Sequence, residues 1–369
     1  MLVTRAEDWK ATGVEDDASA ARHSDKPWWL GMPIRFLSDP KERSWTDAVM
    51  GEMHAGSEVQ DDIILIKRDG YPTYNFAHIV DDAEMKVTHV MRGVEYLSST
   101  PNYLALYEAF NLAVPVLVSL PHILAPTGNK KLGKRDGAKS ATEYRDDGVL
   151  PEAMLNFLAC LGWNDGTEQE IYTKEELVER FSLSRVQSSG ARYDEAKLLW
   201  LNGQWIRKIF DEQGCTALYE RTIGFWPEAA EGASEDYRKR VLAVIYDRLK
   251  VLGDLSEMTG YFFHDPAIDM EMLKGNKFLK KLSEAELEEL VKSSVARLSE
   301  VSADEWTAER LQEVLNGLLA ETERKPAELF SLLRIAVSFA PFSPALNLTF
   351  EVLGRERVLA RLNAVARAI

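Results

Sequence analysis

The chain has 369 residues, 46% hydrophobic and 28% charged, with a formal net charge of -15. That is enough apolar material for two or three cores, but no run reaches the ~18 apolar residues of a membrane span, and residues 1–8 are too polar for a secretory signal, so a cytoplasmic protein without membrane contact is expected. Two distant cysteines, Cys160 and Cys215, and six scattered histidines support neither a disulfide framework nor a zinc site, and so acidic a chain can meet nucleic acid only through local basic patches, which excludes a general DNA binder.

Residues 1–60 are rich in Asp, Ser and Trp and show no strong period over the first thirty. "DDIILIKRDG" then reads as a short strand ended by an Asp-Gly turn. "VTHVMRG" suggests a strand, "STPNYLALYEAFNL" a helix with Thr100 as N-cap and Pro101 at its first position, and "PVLVSL" a further strand. Strand, helix, strand in that order predicts a parallel pair with a crossover helix, the kind of sheet that holds nucleotides beyond its strand ends.

Beyond Ser140 the pattern becomes helical. Ser140-x-x-Glu143, Thr173-x-x-Glu176, Ser283-x-x-Glu286 and Ser302-x-x-Glu305 all fit capping boxes. Met154, Leu155, Leu158 and Leu161 follow the helical period after Pro151, and Val358, Leu359, Leu362, Val365 and Ile369 form a last apolar stripe; both read as core. Cys160 reads as a small core residue. There is no internal repeat, and composition shifts near Ser140 and Asp211 suggest boundaries.

The most unusual stretch is "GNKKLGKRDGAKS", residues 128–140, with five cations (Lys130, Lys131, Lys134, Arg135, Lys139) against one anion, Asp136. It matches G-x-x-x-x-G-K, yet Arg135 stands where a phosphate-cradling loop needs Ser or Thr for Mg²⁺, and "PHILAPT" separates it from the preceding strand. A solvated basic turn is the plain alternative.

Lys131-Leu132-Gly133-Lys134-Arg135 resembles the KMSKS loop of class I aminoacyl-tRNA synthetases, with Gly133 in place of the usual serine. The flanking text, "KRDGYPTYNFAHIVDDAEMKVTHVMRGVEYLSSTPNYLALYEAF", "YRDDGVLPEAMLNFLACLGW" and "ARYDEAKLLWLNGQWIR", is similar to the bacterial and organellar glutamyl-tRNA synthetases from about Pro33 to Ile369. The resemblance implies an α/β N-terminal part, the second half of a class I Rossmann-like domain, followed by mostly α-helical stem-contact and anticodon-binding domains. The implied parts are a remnant of the acceptor-binding insertion (1–72), the half nucleotide fold with its loop (73–139), a helical stem-contact region (140–210) and a helical anticodon-binding domain (211–369). No His-x-Gly-His motif of the first half is found; "MHAGS" at Met53 reads as a chance match, and the chain is expected to begin inside the insertion.

By the same resemblance Lys134 and Lys131 would carry catalysis, and with Arg135 and Leu124 would bind ATP, which brings Mg²⁺ with it. Tyr74, Arg92 and His78 would bind glutamate, His78 standing where the family usually has Asn. For Arg92 the plain alternative is a pair with Asp81, Asp82 or Glu95. Tyr96, Arg192, Lys197 and Arg207 would contact tRNA(Glu), with Lys208 a further basic candidate, and a monomer is expected. A glutaminyl-tRNA synthetase and a non-catalytic tRNA-binding module remain as alternatives.

Overall fold

The computed structural model describes residues 31, 33–137, 139–340 and 343–369. The irregular stretch expected over the first thirty residues, and Ala138 at the end of the basic loop, lie outside them. The chain divides into two compact units: one of the described residues up to 137 with 159–170 and 175–193, the other of 139–158, 171–174 and 194–369.

In the first unit, β1 (Ile34–Arg35) pairs antiparallel with β4 (Ile64–Ile66), while β2 (Arg43–Asp47) and β3 (Gly51–Ala55) form an antiparallel hairpin. Helix α1 (Tyr74–Glu84) leads to β5 (His89–Gly93), helix α2 (Thr100–Ala109) and β6 (Val116–Leu120). Strands β5 and β6 run parallel, His89 opposite Val116 through Gly93 opposite Leu120, and the four-stranded sheet has the order β3-β2-β6-β5. The crossover unit expected from the sequence is therefore present, with one shift: Ser99, not Thr100, precedes the first helical residue, and Thr100 Oγ1 instead donates to the Tyr96 carbonyl.

The hairpin has no counterpart in the sequence reading. Its strands, "RSWTD" and "GEMHA", alternate with mostly polar residues, and its corner is held by Asp47, whose Oδ1 accepts from the amides of Val49, Met50 and Ser119. "MHAGS" ends the outer strand β3, where exposed His54 meets Ser44 Oγ at 2.9 Å, away from any long helix start. The apolar core of this unit is small: Phe36, Leu65, Ile79, Tyr103, Ala105, Leu106 and Tyr107.

The second unit is helical. It carries α3 (Ala141–Asp146), most of α4 (Pro151–Cys160), whose neighbour α5 (Lys174–Arg180) falls mainly in the first unit, and then α6 (Glu195–Gln213) and α7 (Cys215–Arg221). There follow α8 (Glu235–Ile245), α9 (Asp254–Phe263), α10 (Met270–Gly275), α11 (Glu284–Ser299), α12 (Ala308–Thr322), α13 (Pro326–Ser338), α14 (Leu346–Leu353) and α15 (Arg355–Ala368). Helix α6 passes through Asp211 unbroken.

Capping boxes form at Ser140–Glu143 and Ser283–Glu286. Ser302–Glu305 closes only a turn, because Thr307 Oγ1 accepts from the Arg310 amide and caps α12 five residues later than the box would. The stripe on α4 is also placed differently: Leu155 and Leu158 are exposed, and Ala153, Asn156 and Phe157 are buried. Asn156 is drawn inward because its Oδ1 accepts from the Tyr172 amide and Trp205 Nε1. Cys160 is half-buried rather than core. On α15, Val358, Leu362 and Val365 are buried and Leu359 and Ile369 pack beside them, as the spacing predicts.

Candidate active site

The first unit gathers four of the expected residues into one cluster. Thr73 fixes where α1 begins, since its amide donates to Leu65 O and its hydroxyl to Ile64 O, both on β4. That anchorage places Tyr74 at the first helical position and His78 one turn on, their rings stacked with centroids 5.0 Å apart. Arg92, near the end of β5 and opposite Ser119 of β6, comes to the same place. Its guanidinium lies 5.4 Å over the Tyr96 ring and 5.3 Å over Tyr103, with His78 Nε2 3.5 Å from Nη1 and Asp82 4.0 Å from Nη2.

The ionisable groups here are shifted by their surroundings. Burial holds the His78 imidazole below its usual range, and the neighbouring Arg92 cation pushes the same way. Burial likewise raises the Tyr74 and Tyr103 phenols, opposed in each by Arg92. The cluster therefore sets the Arg92 cation among aromatic rings with Asp82 on one side, and the guanidinium donors that remain are suited to a carboxylate. The notch beside it has a volume of about 20 Å³, room for one water-sized guest.

Two local findings modify the expectations. Of the acids weighed against Arg92, Asp82 faces it, while Glu95 turns to Lys131 (3.1 Å) and His122 (3.7 Å). Tyr96, expected with the tRNA contacts, is a wall of the arginine cluster, 5.8 Å from Tyr74. Tyr103 was not anticipated; the signal was its position one turn before Tyr107 on α2, both rings being buried.

The basic loop is built on a lattice of main-chain bonds. Ala125 N–H donates to Lys130 O and Leu132 N–H to Ile123 O, folding the loop back on itself. Leu124, expected to bind ATP, donates to Ala191 O and accepts from Tyr193 N, so its main-chain groups are already engaged within the chain. Gly190 permits this approach, since a Cβ there would lie 2.8 Å from His122 O. Arg192 clasps the loop base through Gly128 O and, at 2.8 Å, Asn129 Oδ1.

Within the loop Lys130 pairs with Asp136, Lys131 with Glu95, and Lys139, in the second unit, with Asp147 at 2.8 Å. Lys134 and Arg135, in a short 3-10 turn ending at left-handed Gly137, are exposed and have no ion pair or side-chain hydrogen bond among the described residues. No α-helix opens at Lys134, which sets the loop apart from a phosphate-cradling loop. Two unmatched cations on one exposed turn form a ready counter-charge for polyphosphate.

Comparison with known proteins decides the family. Residues 16–200 match the profile of the catalytic domain of "tRNA synthetases class I (E and Q)", and residues 217–366 match "Anticodon binding domain". The chain belongs to the class I tRNA synthetases for glutamate and glutamine. A curated glutamate–tRNA ligase of Dehalococcoides mccartyi is 37% identical over 91% of this synthetase chain and 69% of its own length, and one of Chloroflexus aurantiacus is 34% identical over 98% and 71%. A crystal structure of a glutamate tRNA ligase from Elizabethkingia meningosepticum, in complex with its amino acid, superposes with a TM-score of 0.77 at 27% identity, over 91% of this chain and 68% of that one.

The other basic candidates of the synthetase chain serve local contacts as well. Arg207 donates to Asp247 O at 2.8 Å, Lys208 pairs with Glu212 at 2.6 Å, and Lys197 opens α6, its amide donating to the Asp194 cap. No sequence motif marks the cleft of about 1100 Å³ in the second unit, whose lining includes Tyr237, Phe263, Asp265, Trp306, Arg355 and Arg357. Beneath it, buried Arg361 bonds Asp265 Oδ1 at 2.8 Å and three carbonyls, holding the Asp265 carboxyl below its usual range. Among the described residues no group of three or more His, Cys, Asp or Glu is placed to hold a metal, and no helix is long and apolar enough to cross a membrane.

Proposed function

We propose that this synthetase chain works as a glutamate–tRNA ligase, and that Lys134 is its principal charge on the nucleotide. The observation that carries the reading is the unmatched Lys134–Arg135 turn in a loop whose other lysines are paired. In the first step a glutamate carboxylate oxygen attacks the α-phosphorus of ATP, the bond to the β-phosphate oxygen breaks, and pyrophosphate leaves. Negative charge grows on the transferring and departing phosphates, and Lys134, assisted by Arg135 and by Lys131 once it leaves Glu95, neutralises it as it develops. In the second step a terminal ribose hydroxyl of tRNA attacks the acyl carbon, its proton is released, and AMP departs. Mg²⁺ enters with ATP as part of that substrate.

Arg92 supplies a two-pronged donor for the carboxylate of the amino acid, with Tyr74 and Tyr96 as walls. The aromatic and arginine-lined cleft of the second unit is the candidate anticodon surface, since stacking rings and cations suit single-stranded bases. The glutaminyl alternative draws no support from the relatives above, all glutamate–tRNA ligases.

A second reading, a tRNA-binding module without activation chemistry, is favoured by the notch of about 20 Å³ beside Arg92, too small to enclose an amino acid. ATP–pyrophosphate exchange with glutamate and tRNA(Glu) separates the two. Exchange supports the ligase; tRNA binding with salt-dependent affinity and no exchange supports the module.

A further inference from the structure

We propose that His78 is a positioning residue that, as a neutral ring protonated on Nδ1, accepts a hydrogen bond from Arg92 and holds the guanidinium in place, instead of binding the amino acid directly. The inference rests on the reading of Arg92 as the carboxylate ligand and deepens it.

The geometry assigns the tautomer. His78 Nδ1 lies 2.8 Å from the Tyr74 carbonyl, which only accepts, so Nδ1 carries the hydrogen. In a neutral ring Nε2 is then a lone pair, and it faces Arg92 Nη1 at 3.5 Å, a group that only donates. A doubly protonated ring would set two donors and two cations against each other. The ring also packs against Tyr74, stacked at 5.0 Å, and against Tyr103, nearly perpendicular at 4.6 Å, which restricts its turning toward a substrate.

The charged and titratable groups around it come from every neighbouring element: Tyr74, Asp81 and Asp82 from α1, Arg92 from β5, Tyr96 from the turn after β5, and Tyr103 from α2. Burial and Arg92 disfavour protonation, while the Tyr74 carbonyl, Asp82 and Asp81 oppose them; the net direction is downward. Asp82 holds the other side of the guanidinium, Nη2, at 4.0 Å. His78 and Asp82 thereby fix Arg92 from two directions, leaving its remaining donors for a ligand.

The test uses the full chain, ¹⁵N-labelled at histidine, in long-range ¹H–¹⁵N correlation spectra across pH, with L-glutamate binding measured by calorimetry. The expected spectrum shows His78 as the Nδ1–H tautomer, titrating below the ordinary value of 6.5. An Nε2–H tautomer, or titration at or above that value, would overturn the proposal whatever the chain's activity. His78→Leu is expected to weaken L-glutamate binding about tenfold, the scale of one hydrogen bond to a charged group, and His78→Asn, whose Oδ1 can accept from Arg92, to recover most of it without the weakening that protonation of His78 brings to the wild type at low pH. Equal weakening in both variants would contradict a positioning role. If the wild-type chain binds no L-glutamate, the carboxylate reading of Arg92 fails, and the tautomer alone then decides whether His78 holds Arg92.

Discussion

The two units bury apolar surface to very different extents. Among the described residues the largest core of the helical unit contains 28 buried side chains, from Val241 to Val365, whereas the α/β unit centres on seven. The α/β unit also leaves Tyr71, Met85, Met91 and Val116 well exposed, two of them on the parallel strands β5 and β6, which such sheets normally cover on both faces. Packing in the helical unit is therefore mainly about stability. In the α/β unit, contacts such as those of Thr73 and Arg192 also place charged and aromatic groups.

That contrast can be broken by mutation. Leu332→Ala, at a fully buried position of α13, is expected to cost about 3 kcal/mol, lowering the thermal transition of the helical unit. An equal shift of the α/β signals, followed by site-resolved hydrogen exchange, would mean the units unfold as one. Next in size is Gly148→Ala: Gly148 has φ of +90° and a Cβ there would stand 2.7 Å from the amide nitrogens of Leu252 and Gly253, so a loss of about 2–3 kcal/mol is expected in urea unfolding.

Arg192→Ala removes the clasp on Gly128 and Asn129 and is expected to cost about 1–2 kcal/mol locally. The readout is faster proteolysis within residues 128–137 with the helical unit's stability unchanged. The smallest effect concerns Glu286, whose carboxyl is held at about 2 by the Ser283 amide, Arg324 and the Ser283 hydroxyl. Its depressed value adds stability that is complete above the ordinary 4.5 and disappears as pH falls toward 2. Glu286→Gln should flatten that part of the acid-unfolding curve, and an unchanged curve would count against the cap.

How much could be read in advance follows the same division. The β5–α2–β6 crossover was legible because apolar runs and Pro101 mark its elements, and the family text placed Tyr74, His78 and Arg92 at residues that do meet in space. The β2–β3 hairpin was not, since its strands are polar and depend on the tertiary bonds of Asp47. On α4, periodicity alone chose Leu155 and Leu158 as core, but the buried hydrogen bonds of Asn156 turn that face outward. The engaged amide of Leu124 and the pairing of Lys131 with Glu95 are long-range contacts that no local pattern encodes.

The most direct test of the loop is a comparison of ATP–pyrophosphate exchange and tRNA affinity in the wild-type chain and in Lys134→Ala. If Lys134 is the unmatched charge that meets the polyphosphate, exchange falls by about 10²–10³-fold while tRNA affinity stays within about twofold. Exchange at the wild-type rate, or a parallel loss of both, would contradict that role.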